Sequence, residues 1–293
     1  MCGEGNTCGS WEADRESYLP DDDPFVAQGF VGDPLGDAEY ELVFRIDGVP
    51  GERPVLTVVG YRGAPVNVDI PDEWDGMPVT TISSDAFQGC STLVSIAMSE
   101  TVGVIDDHAF AGCTNLQHVE LPWSLYCIHA GTFEGCTSLA RIDIPEGLAA
   151  IYDDAFCGCD ALREVGLPST AEIIGCSAYA WCDALEDIYL DSINEICDDA
   201  FFGCTSLKRL HIGQVDPYLP DWLEIGERAF SGCTALESVE IERDGEICIG
   251  RRAFAGCTAL RSFEIVRSDP DYDPQDVEIH PDAFAGCPMP SEP

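Results

Sequence analysis

Cysteine is the residue type with the widest chemical possibilities in this sequence, because its 16 thiols could pair as disulfides or bind a soft metal ion. Nine of the cysteines end a recurring string of the form AFxGC, and successive copies lie 22 to 30 residues apart. They are Cys90, Cys113, Cys136, Cys159, Cys182, Cys204, Cys233, Cys257 and Cys287. No histidine or second cysteine pair lies at zinc-ligand spacing around Cys157 and Cys159, so the cysteines predict no metal site.

Carboxylates are the other abundant group, with 54 Asp and Glu against 14 Lys and Arg and a formal charge of −40. Acidic pairs recur before the AFxGC strings, at Asp106–Asp107, Asp153–Asp154 and Asp198–Asp199. The run Asp269, Asp271 and Asp273 resembles the start of an EF-hand loop, but Pro274 replaces the required glycine. We therefore interpret these carboxylates as caps and solvated charge, and predict no metal ion and no cofactor. A calcium-binding or purely structural acidic solenoid is the alternative.

The charge balance excludes several classes of partner. Nucleic acids and anionic lipids are bound by clustered Lys and Arg, which this chain lacks, so neither is predicted as a partner. No apolar stretch approaches 18 residues, which predicts no membrane insertion. The sequence as written shows no signal peptide and no anchor, and this predicts a cytoplasmic location. An upstream start that adds a signal peptide would instead predict the cell surface or the extracellular space.

The AFxGC strings belong to a longer repeat that must position these groups. Isoleucine lies five residues before each aromatic residue, and an LxxIxI pattern follows the cysteine, as at Leu139, Ile142 and Ile144. The alternation predicts a short strand with one buried face, whereas Asp107 and Asp154 suit the N-cap of a short helical turn. One coil of about 23 residues cannot bury its own apolar face, so neighbouring coils must stack into a solenoid.

Stacking also decides the chemistry of the cysteine column. Equivalent side chains of neighbouring coils point in the same direction rather than toward each other. Nine is an odd number, so the column cannot pair completely. We therefore predict that these cysteines are small buried apolar residues, a cysteine-rich core with free thiols.

The unit IxxxAFxGCxxLxxIxIP resembles the BspA-like leucine-rich repeat, a subclass with 23-residue units, and the likeness covers roughly residues 40 to 287. The resemblance implies a leucine-rich-repeat solenoid of about nine coils. Such a solenoid has a parallel β-sheet on one face, short helical turns on the other and an N-terminal β cap. Members of this family are often microbial surface or secreted proteins implicated in adhesion and host-protein binding, so the resemblance also implies a protein-binding role.

Three regions follow from the position of the repeats. Residues 1–38 are predicted to be an acidic flexible arm. Residues 39–80 contain the β-like runs YELVFRI, PVLTVVGY and VNVDI, and are predicted to form the N-terminal β cap that leads into the first coil. Residues 81–293 carry the BspA-like repeats. Two coils have insertions, Gly213–Glu224 and Val266–Glu278, which are either binding loops or tolerated loop drift.

The middle residue of each IxI pair points outward and defines the candidate binding face. These residues are Ala97, Glu120, Asp143, Gly166, Tyr189, His211, Glu240 and Glu264. The four carboxylates of this row favour a protein partner with a basic or mixed surface, and solubility charge is the alternative. Trp123 and Tyr126 follow one strand and suit aromatic anchors or half-buried turn residues, while Tyr218 and Trp222 lie in the first insertion.

No enzyme signature occurs: the chain has no GxSxG, Walker-type loop, HExxH or dinucleotide fingerprint. The sequence therefore predicts a non-enzymatic protein-binding module, with surface adhesion or host-protein interaction as its role. An intracellular scaffold or regulatory protein that uses the same face is the alternative.

Overall fold

The computed structural model describes residues 26–30, 40–48, 51–213, 222–267 and 276–288. Tyr218 and the acidic run from Asp269 to Asp273 lie outside these residues. In the described part, no helical segment has the length and apolar character needed to cross a membrane.

The N-terminal region is a set of strands that covers the first coil. Strands β1 (Val26–Phe30), β2 (Tyr40–Asp47) and β3 (Val55–Gly63) pair antiparallel in that order. β3 then pairs in parallel with β6 (Met77–Ile82), against which the short strand β5 (Glu73–Trp74) folds back. The three β-like runs of the sequence coincide with β2, β3 and β4 (Asn67–Ile70), and β1 falls within the stretch assigned to the arm.

The IxI segments form the first face of the solenoid, which we name the IxI face. Its strands are β4 (Asn67–Ile70), β7 (Ser95–Met98), β9 (His118–Glu120), β11 (Arg141–Asp143), β13 (Glu164–Gly166), β15 (Asp187–Tyr189), β17 (Arg209–Ile212), β19 (Ser238–Glu242) and β21 (Ser262–Val266). All pairings are parallel, and they divide the face into the sheets β4-β7-β9, β11-β13 and β15-β17-β19-β21. The inward isoleucines, such as Ile142 and Ile188, are buried.

A second parallel sheet forms another face, which we name the second face. β6 pairs with β8 (Val104–Ile105), and the row continues as β10 (Cys127–Ile128), β12 (Ala150–Ile151), β14 (Ile173–Ile174), β16 (Glu195–Ile196), β18 (Trp222–Ile225), β20 (Glu246–Ile249) and β22 (Val277–Ile279). The isoleucine five residues before each aromatic residue ends these strands. Its side chain is buried at Ile128, Ile151 and Ile174 because it faces the interior of the coil.

The AFxGC segments are hydrogen-bonded turns, and the described residues contain no α-helix. Cys157 and Cys159 donate their amides to the carbonyls three residues earlier, whereas Phe156 and Gly158 donate to the next coil. In an α-helix every amide bonds to a carbonyl of the same helical segment. Because every second amide here bonds to the next coil instead, the helix stops after one turn. Asp154 (φ 55°) and Gly158 (φ 70°) adopt the left-handed conformation, which also interrupts a helix.

The acidic pairs bridge neighbouring coils instead of capping helices. Oδ1 of Asp153 accepts the amide of Cys176 at 2.7 Å, and Oδ1 of Asp198 accepts the amide of Glu227 at 2.6 Å. Asp107 accepts the amide of the coil after it in the same way, at 3.2 Å. These contacts satisfy backbone donors that the parallel stacking leaves without a carbonyl partner.

The aromatic residues of the repeats stack into one ladder through the core. Neighbouring ring centroids are 5.0 to 5.5 Å apart from Tyr61 to Phe284. The members are Tyr61, Phe87, Phe110, Phe133, Phe156, Tyr179, Phe201, Phe230, Phe254 and Phe284. Each ring between the two ends of the ladder therefore stacks on two others, one in the coil before it and one in the coil after it.

The cysteine column is buried beside this ladder, which confirms the cysteine-rich core. Sγ of Cys159 donates to the carbonyl of Phe133 at 3.2 Å, and Sγ of Cys182 donates to that of Phe156 at 3.3 Å. The same contact recurs from Cys113 to Cys287. All described cysteines are free thiols. Burial raises the pKa of the Cys136 and Cys159 thiols well above the usual range, so these groups stay protonated.

Thiol titration is expected to separate the column from the other cysteines. Eight described cysteines are buried and only Cys176 is exposed. Because only an accessible thiolate reacts quickly, at least these eight thiols should react with Ellman's reagent only after denaturation in guanidinium chloride. Rapid reaction of all 16 thiols in native buffer would contradict the buried assignment.

Candidate protein-binding face

The register of the IxI face brings the outward residues into one row. Tyr189 lies opposite His211, His211 opposite Glu240, and Glu240 opposite Glu264. Ala97 pairs with Glu120 and Asp143 pairs with Gly166 at the other end of the face. Strands β9 and β11, and strands β13 and β15, are also neighbours, so the row continues across the breaks between the three sheets.

The face is less acidic than the row alone indicates, because basic side chains pair with one carboxylate of the row and with two carboxylates outside it. Nη2 of Arg141 lies 2.8 Å from Oδ1 of Asp143 on the same strand. In the column beside the row, Arg209 reaches Asp187 at 2.7 Å, and its guanidinium lowers the pKa of that carboxyl. Lys208 lies 2.8 Å from Glu186. The centre of the face therefore presents charges of both signs.

A groove of about 490 Å³ lies where the IxI face is interrupted between β13 and β15. Gly166 occupies the outward position here, and a Cβ at this residue would meet no atom within 4 Å. The row therefore has a gap between Asp143 and Tyr189. The groove is lined by Arg163, Glu164, Val165, Gly166, Glu186, Asp187 and Tyr189.

Three of the predicted aromatic residues are exposed at or near this face. Trp123 is 70% exposed and Tyr126 is 68% exposed in the segment between β9 and β10, so they are not the half-buried turn residues of the alternative interpretation. Tyr189 is 56% exposed and forms one wall of the groove. Trp222 lies on β18 of the second face, so the structure separates it from the row.

The structure also adds one residue that the sequence analysis missed, Glu242. Among the described residues, one group of three offers ligand-type atoms that all lie within 4.8 Å of one another: His211, Glu240 and Glu242. Glu242 follows Glu240 by two positions on β19, and the period of a strand puts both side chains on the same side of the sheet. This two-residue period of a strand was the sequence signal that could have identified Glu242. His211 and Glu240 lie 29 positions apart in the sequence, and the pairing of β17 with β19 brings them into contact.

The two parallel sheets are joined by AFxGC turns, and the Leu, Ile and Cys of each coil are buried against the next coil. This arrangement defines a leucine-rich-repeat solenoid. The chain belongs to the BspA-type leucine-rich repeat family: the model of the BspA type leucine rich repeat region matches it in six copies, over residues 80–208 and 218–289. Leucine-rich repeat proteins generally mediate protein interactions, and this chain is a repeat protein of that class.

Solved structures of bacterial repeat proteins have the same fold. A leucine rich repeat protein of T. pallidum, TpLRR, is 26% identical with a TM-score of 0.50, and the match covers 74% of this chain and 88% of that one. A leucine rich cell surface protein of Faecalibacterium prausnitzii is 23% identical with a TM-score of 0.55, over 83% of this chain and 84% of that one. No curated protein matches the chain.

Proposed function

We propose that this protein is a non-enzymatic binding module that docks a protein partner on its IxI face. The observation that carries the proposal is the groove between β13 and β15, with exposed Tyr189 as its wall and paired charges around it. Binding hot spots are enriched in Tyr, Trp and Arg that sit in such depressions, surrounded by polar contacts that exclude water. The fixed strands beneath the groove supply a preorganised surface, which lowers the cost of association.

The charges of the face indicate what kind of partner fits. Arg163 and the Arg209–Asp187 pair lie beside the carboxylates of the outward row, so a partner with a mixed surface can match both signs. A partner with a basic surface is favoured near Glu120, Glu240 and Glu264, where carboxylates are exposed. Trp123 and Tyr126, exposed in the segment that follows β9, offer a second aromatic anchor.

Cell-surface adhesion is the role we propose for this binding. The similar protein from Faecalibacterium prausnitzii is described as a cell surface protein, and this supports a role at the cell surface. An intracellular scaffold is the second candidate. The free thiols of the core favour it, because a reducing compartment keeps thiols unpaired. Capture of host extracellular proteins supports adhesion, whereas capture of proteins from the producing cell supports the scaffold.

A comparison of face variants tests the proposal. The immobilised full chain is exposed to host extracellular proteins and, separately, to cytosol of the producing cell. Captured proteins are then titrated against variants. We expect Tyr189→Ala to weaken capture about tenfold or more, because truncating a hot-spot residue costs about 2 kcal/mol. Neutralising Glu120, Asp143, Glu240 and Glu264 to amides should weaken it further and reduce its dependence on salt.

Tyr152→Ala is the matched control, because Tyr152 is 44% exposed but follows β12 on the second face. It should leave capture unchanged. Equal capture by wild type, Tyr189→Ala and the neutralised chain would rule out the IxI face as the docking surface.

A further inference from the structure

The exposed end of β17 and β19 brings an imidazole and carboxylates together. Nδ1 of His211 lies 3.4 Å from Oε2 of Glu240, and Glu242 completes a set whose ligand-type atoms are within 4.8 Å of one another. Two ligands at about 2.1 Å from a tetrahedral zinc ion are about 3.4 Å apart. The His211–Glu240 separation already equals this value, and small side-chain rotations bring Glu242 to it.

Gly213 leaves space beside the His211 ring and Asp191. It directly follows β17, and continuing the register of β17 with β19 by one residue places it opposite Glu242. A Cβ at Gly213 would lie 3.2 Å from Nε2 of His211 and 3.0 Å from Oδ1 of Asp191, so any larger residue would crowd both groups. Asp191 lies just after β15, the strand that flanks β17 on the side opposite β19. Its Oδ1 lies 4.0 Å from Nε2 of His211.

The arrangement of the two ring nitrogens matches a common pattern in metal sites. A ligating histidine usually donates its second ring N–H to a carboxylate, which fixes the ring orientation and tautomer. Here Nδ1 lies 3.4 Å from Glu240, while Nε2 lies 4.0 Å from Asp191, so a small side-chain rotation would bring Asp191 within hydrogen-bond distance of the ring. The nearby basic residues do not occupy the site, because Arg209 pairs with Asp187 and Lys208 pairs with Glu186.

We propose that His211, Glu240 and Glu242 bind a divalent transition-metal ion of the zinc class, with Asp191 orienting the imidazole. Nitrogen and carboxylate donors suit Zn²⁺ and Co²⁺, whereas Ca²⁺ takes oxygen ligands alone. Three protein ligands leave a tetrahedral ion with one open position. Because the site lies in the outward row of the IxI face, that position points to where a partner would dock. The site itself does not depend on the proposed docking function.

Metal titration of the full chain tests this site. The purification tag is removed and the accessible thiols are alkylated with iodoacetamide, so that neither binds the probe. Zn²⁺ is titrated calorimetrically in physiological salt, and Co²⁺ is followed by its visible absorption. We expect one ion per chain, with the Co²⁺ bands of a nitrogen- and oxygen-ligated site. Excess Ca²⁺ should not compete.

Variants assign the ligands. His211→Gln and Glu242→Gln should each weaken Zn²⁺ binding about tenfold or more, in line with the loss on removing even outer-shell partners. Gly213→Val should weaken it by crowding. The double variant His108→Gln and Glu134→Gln removes a histidine and a glutamate that lie 3.8 Å apart elsewhere in the solenoid, and should bind as wild type. Circular dichroism without metal verifies that each variant is folded. Absence of Zn²⁺ and Co²⁺ binding, or equal binding by all variants, would overturn the proposal.

Discussion

Phe156→Ala is expected to lower the free energy of unfolding by about 3–5 kcal/mol, the usual cost of truncating a buried phenylalanine. The ring is fully buried and stacks on Phe133 at 5.4 Å and on Tyr179 at 5.1 Å. Truncation therefore removes both of its inter-coil contacts. A solenoid is stabilised by contacts between nearest neighbours, so a defect in its middle also uncouples the two halves. Urea denaturation followed by circular dichroism should show a lower midpoint and a broader transition.

Two variants serve as controls for this loss. Phe284→Ala should cost less, because Phe284 is only partly buried and belongs to the last described coil. Tyr179→Phe keeps the ladder intact and removes a buried hydroxyl that has no hydrogen-bond partner among the described residues. It should leave stability unchanged or raise it, because a buried polar group without a partner is costly. If Phe156→Ala cost no more than Phe284→Ala, the ladder would not be what couples the coils.

Gly226→Ala is expected to cost about 1–3 kcal/mol, the range for forcing extra atoms into a packed site. A Cβ at this residue would lie 2.7 Å from the backbone of Cys197 and Asp198 and 2.6 Å from Oδ1 of Asp198. The backbone of the coil before it cannot rotate away as a side chain does. The shift would also strain the 2.6 Å hydrogen bond from the amide of Glu227 to Asp198.

Gly103→Ala is the matched control, because a Cβ there would meet no atom within 4 Å. Its melting temperature should stay near that of the wild type, whereas Gly226→Ala should melt several degrees lower in the same buffer. Similar melting temperatures for Gly226→Ala and the wild type would show that neighbouring coils can separate locally without cost.

Much of the candidate face was predictable because strand periodicity is local. The IxI pattern alone puts Glu120, Asp143, Tyr189 and their equivalents on the outer side of successive strands, and the parallel register of the structure agrees. The pairing of Arg209 with Asp187 was not predictable, since the two residues lie 22 positions apart and the rotamer of each long side chain decides the contact. The interruption between β13 and β15 that opens the groove is likewise invisible in the repeat.

The repeat sequence by itself determined the coil, its inward residues and the buried thiols. A fixed spacing of Ile, Phe, Cys and Leu permits burial only if each coil covers the next. Tertiary structure alone decided that the AFxGC segments are turns, because amides such as that of Phe156 bond to the following coil rather than within a helix. It also decided which charges pair and that Glu242 joins His211, because these contacts depend on distances between coils that no linear pattern contains.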